Sequence, residues 1–203
     1  MTKDPISARQ RRSLETKKKL LLAGREVFIE YGFHKTTISQ IIKKAETGYG
    51  TAYVYFKNKD DLLIVLMDDV MNQFYTIAER IFHPITRNEA HSMIQKQVHA
   101  FLQMAETERQ LLQVVEEAIG TSKEVRNRWD AIRERFIERI VQDITYSQNS
   151  GLARKDLNCL LVARSWFFAN EMFLWEIVRK EREFSLEEIV HTLTEMYMGG
   201  LYS

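Results

Sequence analysis

Hydroxyl groups and positive charges are concentrated in one short stretch of the sequence. Tyr49, Thr51, Tyr53 and Tyr55 alternate along it. The cations that flank this stretch are Lys43, Lys44, Lys57 and Lys59. Hydroxyl groups form hydrogen bonds with base edges and phosphates, and ammonium groups attract phosphates through their charge. We therefore expect this stretch to contact a nucleic acid.

Residue types that support enzyme chemistry are scattered along the chain. The five histidines show no pairing at helical spacing, and neither an HExxH motif nor another metal-binding cluster occurs. Gly48-Tyr49-Gly50 is a fragment of a glycine-rich loop, but no strand is predicted before it. Cys159 is the single cysteine and lies in an apolar run, which favours an inert thiol in a reducing cytoplasm. The sequence predicts neither an enzyme nor a metal or cofactor site.

Two short helices are predicted to position the polar stretch. Thr37 and Gln40 form a capping box, and apolar residues then recur at helical spacing as far as Ala45. Glu46-Thr47-Gly48 interrupts the pattern, and a second helix is predicted from Tyr49 to Tyr55. That helix is too short to be stable alone, so neighbouring elements must hold it. The pattern is a helix-turn-helix, whose second helix can enter the major groove of DNA.

The spacing of these residues resembles the DNA-binding signature of TetR-family transcriptional regulators. The resemblance covers about residues 15–64 and rests on Ala45, Gly50, Thr51, Tyr53, Tyr55, Phe56, Lys59 and Leu62, with Phe28, Gly32, Thr36, Thr37, Ile38 and Ile41 upstream. Glu46 and Gly48 depart from the family pattern, which usually has Gly first and Ser, Ala or Glu second. We expect these two differences to affect local contacts with the operator and not the fold.

This resemblance implies a homodimer that binds a palindromic operator and most simply represses transcription. Tyr49, Gly50, Thr51 and Tyr53 would contact bases, whereas Thr37, Ser39, Tyr55 and Lys59 would mainly contact the DNA backbone. The full predicted DNA-binding set is Thr37, Ser39, Gln40, Thr47, Gly48, Tyr49, Gly50, Thr51, Tyr53, Tyr55 and Lys59.

Composition and charge predict an all-α protein with a basic N-terminal third. The chain has two prolines, eight glycines and no alternating Val/Thr runs. Residues 1–60 contain 13 Lys or Arg and 6 Asp or Glu, whereas the rest contains 16 and 22. This asymmetry favours a polyanionic partner for the first third, the alternative being a merely solvated basic face. No secretory signal and no membrane-spanning segment are predicted.

The predicted organisation has three parts. Residues 1–13 form a mobile basic arm, which either tracks DNA or has no role. Residues 14–60 form a three-helix DNA-binding domain, whose first helix begins near Ser13 and stops at Gly32. Residues 61–203 form a helical effector-binding and dimerisation domain.

The chain from Asn58 onward is predicted to form a succession of amphipathic helices. The first of them starts at Asn58 and continues to Phe82, which corresponds to about 36 Å. Further helices are predicted over residues 88–105, 108–119, 123–147 and 155–182, and a last one extends from the Ser185 capping box to Met198.

Aromatic residues in this half indicate either a packed core or a small-molecule site. Asn170 lies among them in the run SWFFANEMF. A buried amide needs a hydrogen-bond partner, which is either a ligand or a neighbouring backbone group. The stretch from Thr121 through Trp129 to Asn170 and Glu171 also resembles the effector domain of the ethionamide-resistance type of TetR repressor.

The second resemblance implies a long apolar cavity that takes an apolar or amphipathic molecule, whose binding releases the DNA. Its predicted lining is Trp129, Phe136, Phe167, Asn170, Leu174 and Tyr197. Phe167 and Arg133 depart from that pattern through bulk and charge, and we expect them to shorten the cavity or to change its ligand class. Apolar residues on the last two helices favour a dimer interface. Two alternatives stay open: a constitutive DNA-binding protein without an effector, and a helical small-molecule or lipid-binding protein.

Overall fold

The computed structural model describes residues 7–202, and over this range the chain is helical and contains no strand. The all-α prediction is therefore confirmed. The helices are α1 (Ala8–Lys35), α2 (Ile38–Lys44), α3 (Tyr49–Tyr55), α4 (Lys59–Ala78), α5 (Arg87–Thr107), α6 (Arg109–Thr121), α7 (Lys123–Asn149), α8 (Cys159–Arg179) and α9 (Leu186–Leu201).

The chain divides into two compact units. The first unit comprises the chain up to Asp69 together with Gln113–Asn127, and the second comprises Val70–Leu112 and Arg128–Ser203. Helices α4, α6 and α7 each contribute residues to both units. In the first unit α1 packs against α2 and α3, and in the second unit α5 packs against α8 and α9.

The first helix begins earlier than predicted. Its N-cap is Ser7, whose hydroxyl accepts a hydrogen bond from the backbone N–H of Gln10 while the Gln10 side chain accepts one from the backbone N–H of Ser7. This capping box was overlooked, and the prediction of a start near Ser13 is wrong. Residues 8–13 of the predicted arm belong to α1, and residues 1–6 lie outside the described residues.

Two glycines shape the core of the first unit. A Cβ on Gly24 would lie 2.3 Å from Cδ2 of Leu62, so a larger residue at this position would force the buried Leu62 side chain to move. Gly32 has φ +73° and interrupts the helical backbone of α1, as predicted. The core around them consists largely of Leu20, Val27, Phe28, Phe33, Ile41, Ile42, Ala52, Phe56 and Leu63.

Two helix boundaries in the second half differ from the prediction. Helix α4 ends at Ala78 and not at Phe82, so its length is about 30 Å. Helix α8 begins at Cys159 because the Asn158 side chain caps it, and it ends at Arg179, after which the C-cap residue Lys180 has φ +62°. Apolar periodicity continued past these ends because Phe82 is buried without being helical. The Ser185 capping box of α9 is confirmed.

Candidate nucleic-acid interface and ligand cavity

Local hydrogen bonds build the two short helices and the turn between them. Thr37 Oγ1 accepts a hydrogen bond from the N–H of Gln40, and Gln40 Oε1 accepts one from the N–H of Thr37. The turn contains Glu46 in the left-handed region, with φ +51°. Gly48 then serves as the N-cap of α3 without a side-chain cap. Because α3 is short and weakly capped, its orientation depends on packing through Ala52, which is buried.

The exposed surface of α2 and α3 carries most of the predicted base-contacting groups. We call Ser39, Tyr49, Gly50, Thr51 and Tyr53 the recognition face, and all five are exposed. Tyr49 and Tyr53 keep 56% and 48% of their surface accessible although they are large aromatic residues. Tyrosine rings exposed to this extent on a short helix are available to a partner outside this unit.

Val54 also projects from α3 and was absent from the predicted set. It is 78% exposed, which is unusual for a β-branched apolar side chain. The sequence analysis did not consider it, because the argument for this helix rested on its hydroxyl groups and the flanking lysines. The signal that would have identified it is its position one residue after Tyr53 and two after the buried Ala52 on a helix only two turns long.

Several other predicted residues have internal partners. Thr37 and Gln40 bind each other through the capping box. The Tyr55 hydroxyl lies 2.9 Å from Ser13 Oγ, which joins α3 to α1. Thr47 Oγ1 is buried and has no hydrogen-bond partner among the described residues. These side chains position the recognition face within the first unit, and Gly48 remains exposed beside it.

Lys59, for which phosphate binding is predicted, has internal partners in the first unit. Its ammonium group donates hydrogen bonds to the carbonyl oxygens of Phe33, at 2.6 Å, and of Thr36, at 3.0 Å. It also lies 4.2 Å from the centre of the Phe33 ring. Lys59 thus holds the end of α1. Sequence spacing did not reveal this role because Phe33 and Lys59 meet only through the tertiary fold.

Of the other three flanking lysines, two are better placed than Lys59 to bind phosphates. Lys44 pairs with Glu26 at 3.0 Å on an exposed surface. Lys43 and Lys57 are exposed, and the described part of the chain offers their ammonium groups no ion pair. These two lysines are therefore the free cations next to α2 and α3.

The second unit contains a small apolar cavity. Its volume is about 60 Å³, which leaves room for a few water molecules. A ligand pocket for a drug-sized molecule usually measures about 300 Å³ or more, so a larger ligand must displace side chains here. The lining includes Ile77, Ala78, Gln97, Val98, Phe101, Phe136, Arg139, Ile140, Asp143, Trp166, Phe167 and Asn170. Phe136, Phe167 and Asn170 were predicted to line it.

Asn170 has the neighbouring backbone partner that was one of the two alternatives for its amide. Its side-chain amide donates a hydrogen bond of 2.8 Å to the backbone carbonyl of Trp166, and the residue also borders the cavity. The wall also contains Gln97 and an ion pair of 2.8 Å between Arg139 and Asp143. Burial raises the pKa of Asp143 to about 7, against the opposing effect of the Arg139 charge.

The lining of this cavity does not include Trp129, Leu174 or Tyr197, and a ligand-binding role for these three residues stays a prediction. The indole N–H of Trp129 donates a hydrogen bond to the buried carboxylate of Glu171 at 2.8 Å, and Arg133 donates another to the same oxygen. Leu174 is in the core. Tyr197 stacks on Trp166 with ring centres 4.1 Å apart, and burial raises the pKa of its hydroxyl well above the usual value. The resemblance to the ethionamide-resistance type of repressor had placed these residues at the cavity, but it does not determine which neighbours they meet in this chain.

Residues 7–202 offer neither a metal site nor a membrane span. No group of three His, Cys, Asp or Glu side chains within this range is arranged to hold a metal ion. None of the helices in the same range combines the length and apolarity needed to cross a membrane.

Two known families match this chain, one in its N-terminal part and one in its C-terminal part. Residues 20–66 match the family described as "Bacterial regulatory proteins, tetR family". Residues 94–203, more than half of the chain, match the family described as "Transcriptional regulator EthR, C-terminal domain".

Individual relatives agree with this assignment. The chain is 25% identical to a fatty acid metabolism regulator protein of Bacillus subtilis over 89% of its own length and 93% of the relative's. It is 22% identical to the EthR regulator of Mycolicibacterium smegmatis, covering 97% and 84% of the two chains. The solved structure of Bacillus subtilis FadR in complex with stearoyl-CoA has the same fold, with a TM-score of 0.74, 23% identity, and coverage of 90% of this chain and 98% of that one.

Proposed function

Because this chain belongs to the TetR family of bacterial regulatory proteins and has an EthR-type C-terminal domain, we propose that it is a ligand-responsive repressor. Family membership makes it a transcriptional regulator, and its named relatives are regulators and not enzymes. The proposal adds three features. They are a palindromic operator, a homodimer that binds this operator, and a small amphipathic effector that releases the homodimer from the DNA. We place these events in the cytoplasm.

The recognition face is the surface that supports the proposed binding to DNA. Its exposed hydroxyl groups lie on a helix that begins at a weakly capped N-terminus, where backbone N–H groups are free to point outward. Lys43 and Lys57 supply positive charge beside it. Such a surface fits a major groove, with tyrosine and threonine at base edges and lysine at phosphates. The excess of basic residues in the first 60 positions supports the same partner.

Exposed apolar residues on α8 and α9 support a homodimer. Leu161, Met172 and Met196 are 66%, 51% and 69% exposed, and Leu160 and Phe168 are also exposed. Large apolar side chains that cluster on one surface usually mark an interface. A two-fold dimer pairs the same face with itself and presents two recognition faces to a palindrome.

An acyl chain is the effector that best suits the second unit. The cavity wall is mainly aliphatic and aromatic, and the relative from Bacillus subtilis is named for fatty acid metabolism. The related FadR structure holds stearoyl-CoA. Helix α4 begins in the first unit, and its last residue, Ala78, borders the cavity. Ligand that displaces the α4 end would favour a conformation with lower DNA affinity, and DNA would then lower ligand affinity by the same factor.

The constitutive alternative draws support from the small volume of the cavity, because a filled core would bind no effector. Selection of bound sequences from a random DNA pool at about 100 mM salt, which suppresses non-specific binding, tests the DNA-binding part first. We expect an enriched palindrome. Absence of any enriched sequence would contradict the operator proposal and would favour the small-molecule or lipid-binding alternative.

A second experiment tests the effector part with the selected palindrome. Operator affinity is measured with and without a long-chain acyl-CoA. Weaker binding in its presence is the expected result. An enriched palindrome whose affinity no acyl ligand alters would favour the constitutive alternative.

A further inference from the structure

A groove beside the apolar cavity carries two cations. It has a volume of about 160 Å³, and Arg80 and Lys96 lie among its lining residues. Ile77 and Gln97 line both the groove and the cavity, so the two spaces are neighbours within the second unit. We call this space the cationic groove. It is therefore one of the spaces into which a ligand larger than the cavity can extend.

The two cations of the groove are available for an external anion. Arg80 and Lys96 are exposed, and neither side chain forms an ion pair within residues 7–202. No acidic side chain of the described chain lines the groove. The nearby Arg135, in contrast, already pairs with Glu79. An anion that enters the groove therefore meets positive charge that no carboxylate compensates.

The apolar cavity itself is unsuited to an anion. Its guanidinium group, on Arg139, donates to the carbonyl oxygens of Ala78 and Arg80 and pairs with Asp143. With a further bond to the Gln142 side chain, these contacts use most of its N–H donors, and its positive charge is already paired with the Asp143 carboxylate. Burying a second, unpaired anion there would be costly. A ligand with one charged end is thus expected to place that end outside the cavity.

The groove is lined by apolar residues as well as by cations. This combination suits the part of an amphipathic ligand where the apolar tail meets the charged head group. Ile81 is 77% exposed and Phe82 is buried, and both line the groove with the two cations. We propose that Arg80 and Lys96 bind the anionic head group of the effector while its apolar tail enters the cavity. This inference rests on the effector role proposed above and defines the ligand class: one apolar chain that ends in a carboxylate or a phosphate-bearing group.

Three ligands with the same chain length separate the contribution of the head group from that of the tail. They are a long-chain acyl-CoA, the corresponding fatty acid and the corresponding fatty alcohol, each used below the concentration at which it forms micelles. Isothermal titration calorimetry measures their affinity for the wild-type protein, for the Arg80→Ala/Lys96→Ala double variant and for Lys155→Ala. Lys155 is a matched control because it is an exposed lysine of the same unit and does not line the groove.

The double variant is expected to bind the anionic ligands about tenfold more weakly, a change of about 1.4 kcal/mol, because it loses two part-exposed ion pairs. Its affinity for the alcohol stays unchanged, which also verifies that the variant is folded. Lys155→Ala behaves as wild type. Loss for acyl-CoA alone assigns the groove to phosphate, and loss for the fatty acid as well shows that a carboxylate suffices.

Two results would contradict the inference in different ways. If the wild-type protein binds the alcohol and the anionic ligands, and the double variant alters none of these affinities, the groove has no role in head-group binding and the effector proposal survives. If the wild-type protein binds none of the three ligands, the acyl-effector proposal fails and the groove inference fails with it. The single variants Arg80→Gln and Lys96→Gln repeat the test with less change in packing.

Discussion

The carboxylate of Glu117 accepts a hydrogen bond of 2.9 Å from the backbone N–H of Phe33. Glu117 lies on α6, and Phe33 follows the glycine at which α1 loses its helical backbone. A Cβ at Gly32 would lie only 3.0 Å from Glu117 Oε2. The end of α1 is therefore held from two sides, by Glu117 at an N–H group and by Lys59 at carbonyl oxygens.

Removing the Glu117 carboxylate should destabilise the protein. We expect Glu117→Ala to lower the free energy of unfolding by about 1 kcal/mol, since it leaves the Phe33 N–H without its acceptor. Glu117→Gln keeps a side-chain oxygen acceptor and should lose less. Urea unfolding of the three proteins provides the measurement. Equal stability of the alanine variant and the wild type would show that the hydrogen bond is not significant in solution.

Lysine variants should separate a structural role from phosphate binding. Lys59→Met removes the bonds to the carbonyl oxygens of Phe33 and Thr36 and is expected to lower stability. Lys57→Ala should leave stability unchanged and weaken DNA binding for all sequences. Its plot of log affinity against log salt should become shallower by about 0.9 for each phosphate that the variant no longer binds. An unchanged salt slope in Lys57→Ala would exclude phosphate binding by this lysine.

These lysines also show which structural features could be predicted from the sequence and which could not. The two short helices were predicted correctly because their signals are local, namely the Thr37 and Gln40 capping box and the break at residues 46–48. The direction of the Lys59 side chain was not predictable in this way. Phe33 is 26 residues away from it along the chain, and only the packing of α1 against the start of α4 brings the two together.

The cavity shows the same limitation. The resemblance to the ethionamide-resistance type of repressor placed Phe136, Phe167 and Asn170 at the cavity, and these three residues border it in the structure. The same resemblance placed Trp129 there, but this residue meets Glu171 in place of the cavity. Which inward-facing residues border empty space depends on the rotation and separation of the helices, and these quantities have no local signal in the sequence.

Gly50 offers a test of the recognition face that leaves packing undisturbed. A Cβ at this position would meet no atom of the chain within 4 Å, so Gly50→Ala should fold normally. Alanine also has the higher helix propensity, which is expected to raise stability by about 0.5 to 1 kcal/mol. If α3 lies in the major groove, the added methyl group obstructs close approach of DNA and operator affinity falls. A variant with both higher stability and wild-type operator affinity would place Gly50 outside the DNA contact.

Asp143 should make stability depend on pH. Its pKa in the folded protein is about 7, raised from 3.8 by burial. Between these pH values the folded chain binds a proton that the unfolded chain has lost, so stability falls as pH rises through this range. Asp143→Asn removes this contribution.

The measurement for Asp143 is the difference in unfolding free energy between Asp143→Asn and the wild type at pH 5 and at pH 8. We expect the difference to favour the variant more strongly at pH 8 than at pH 5. Using a difference removes the contribution of the other titrating groups. Parallel pH profiles for the two proteins would contradict the raised pKa.

The central claim is that ligand occupancy in the second unit controls DNA affinity in the first. Its most direct test measures operator affinity by fluorescence anisotropy, at fixed salt, while a long-chain acyl-CoA is titrated into the complex of protein and selected operator. The account predicts that affinity falls with acyl-CoA, and that ligand affinity falls by the same factor when operator is present. Acyl-CoA that binds the free protein and leaves operator affinity unchanged would contradict it.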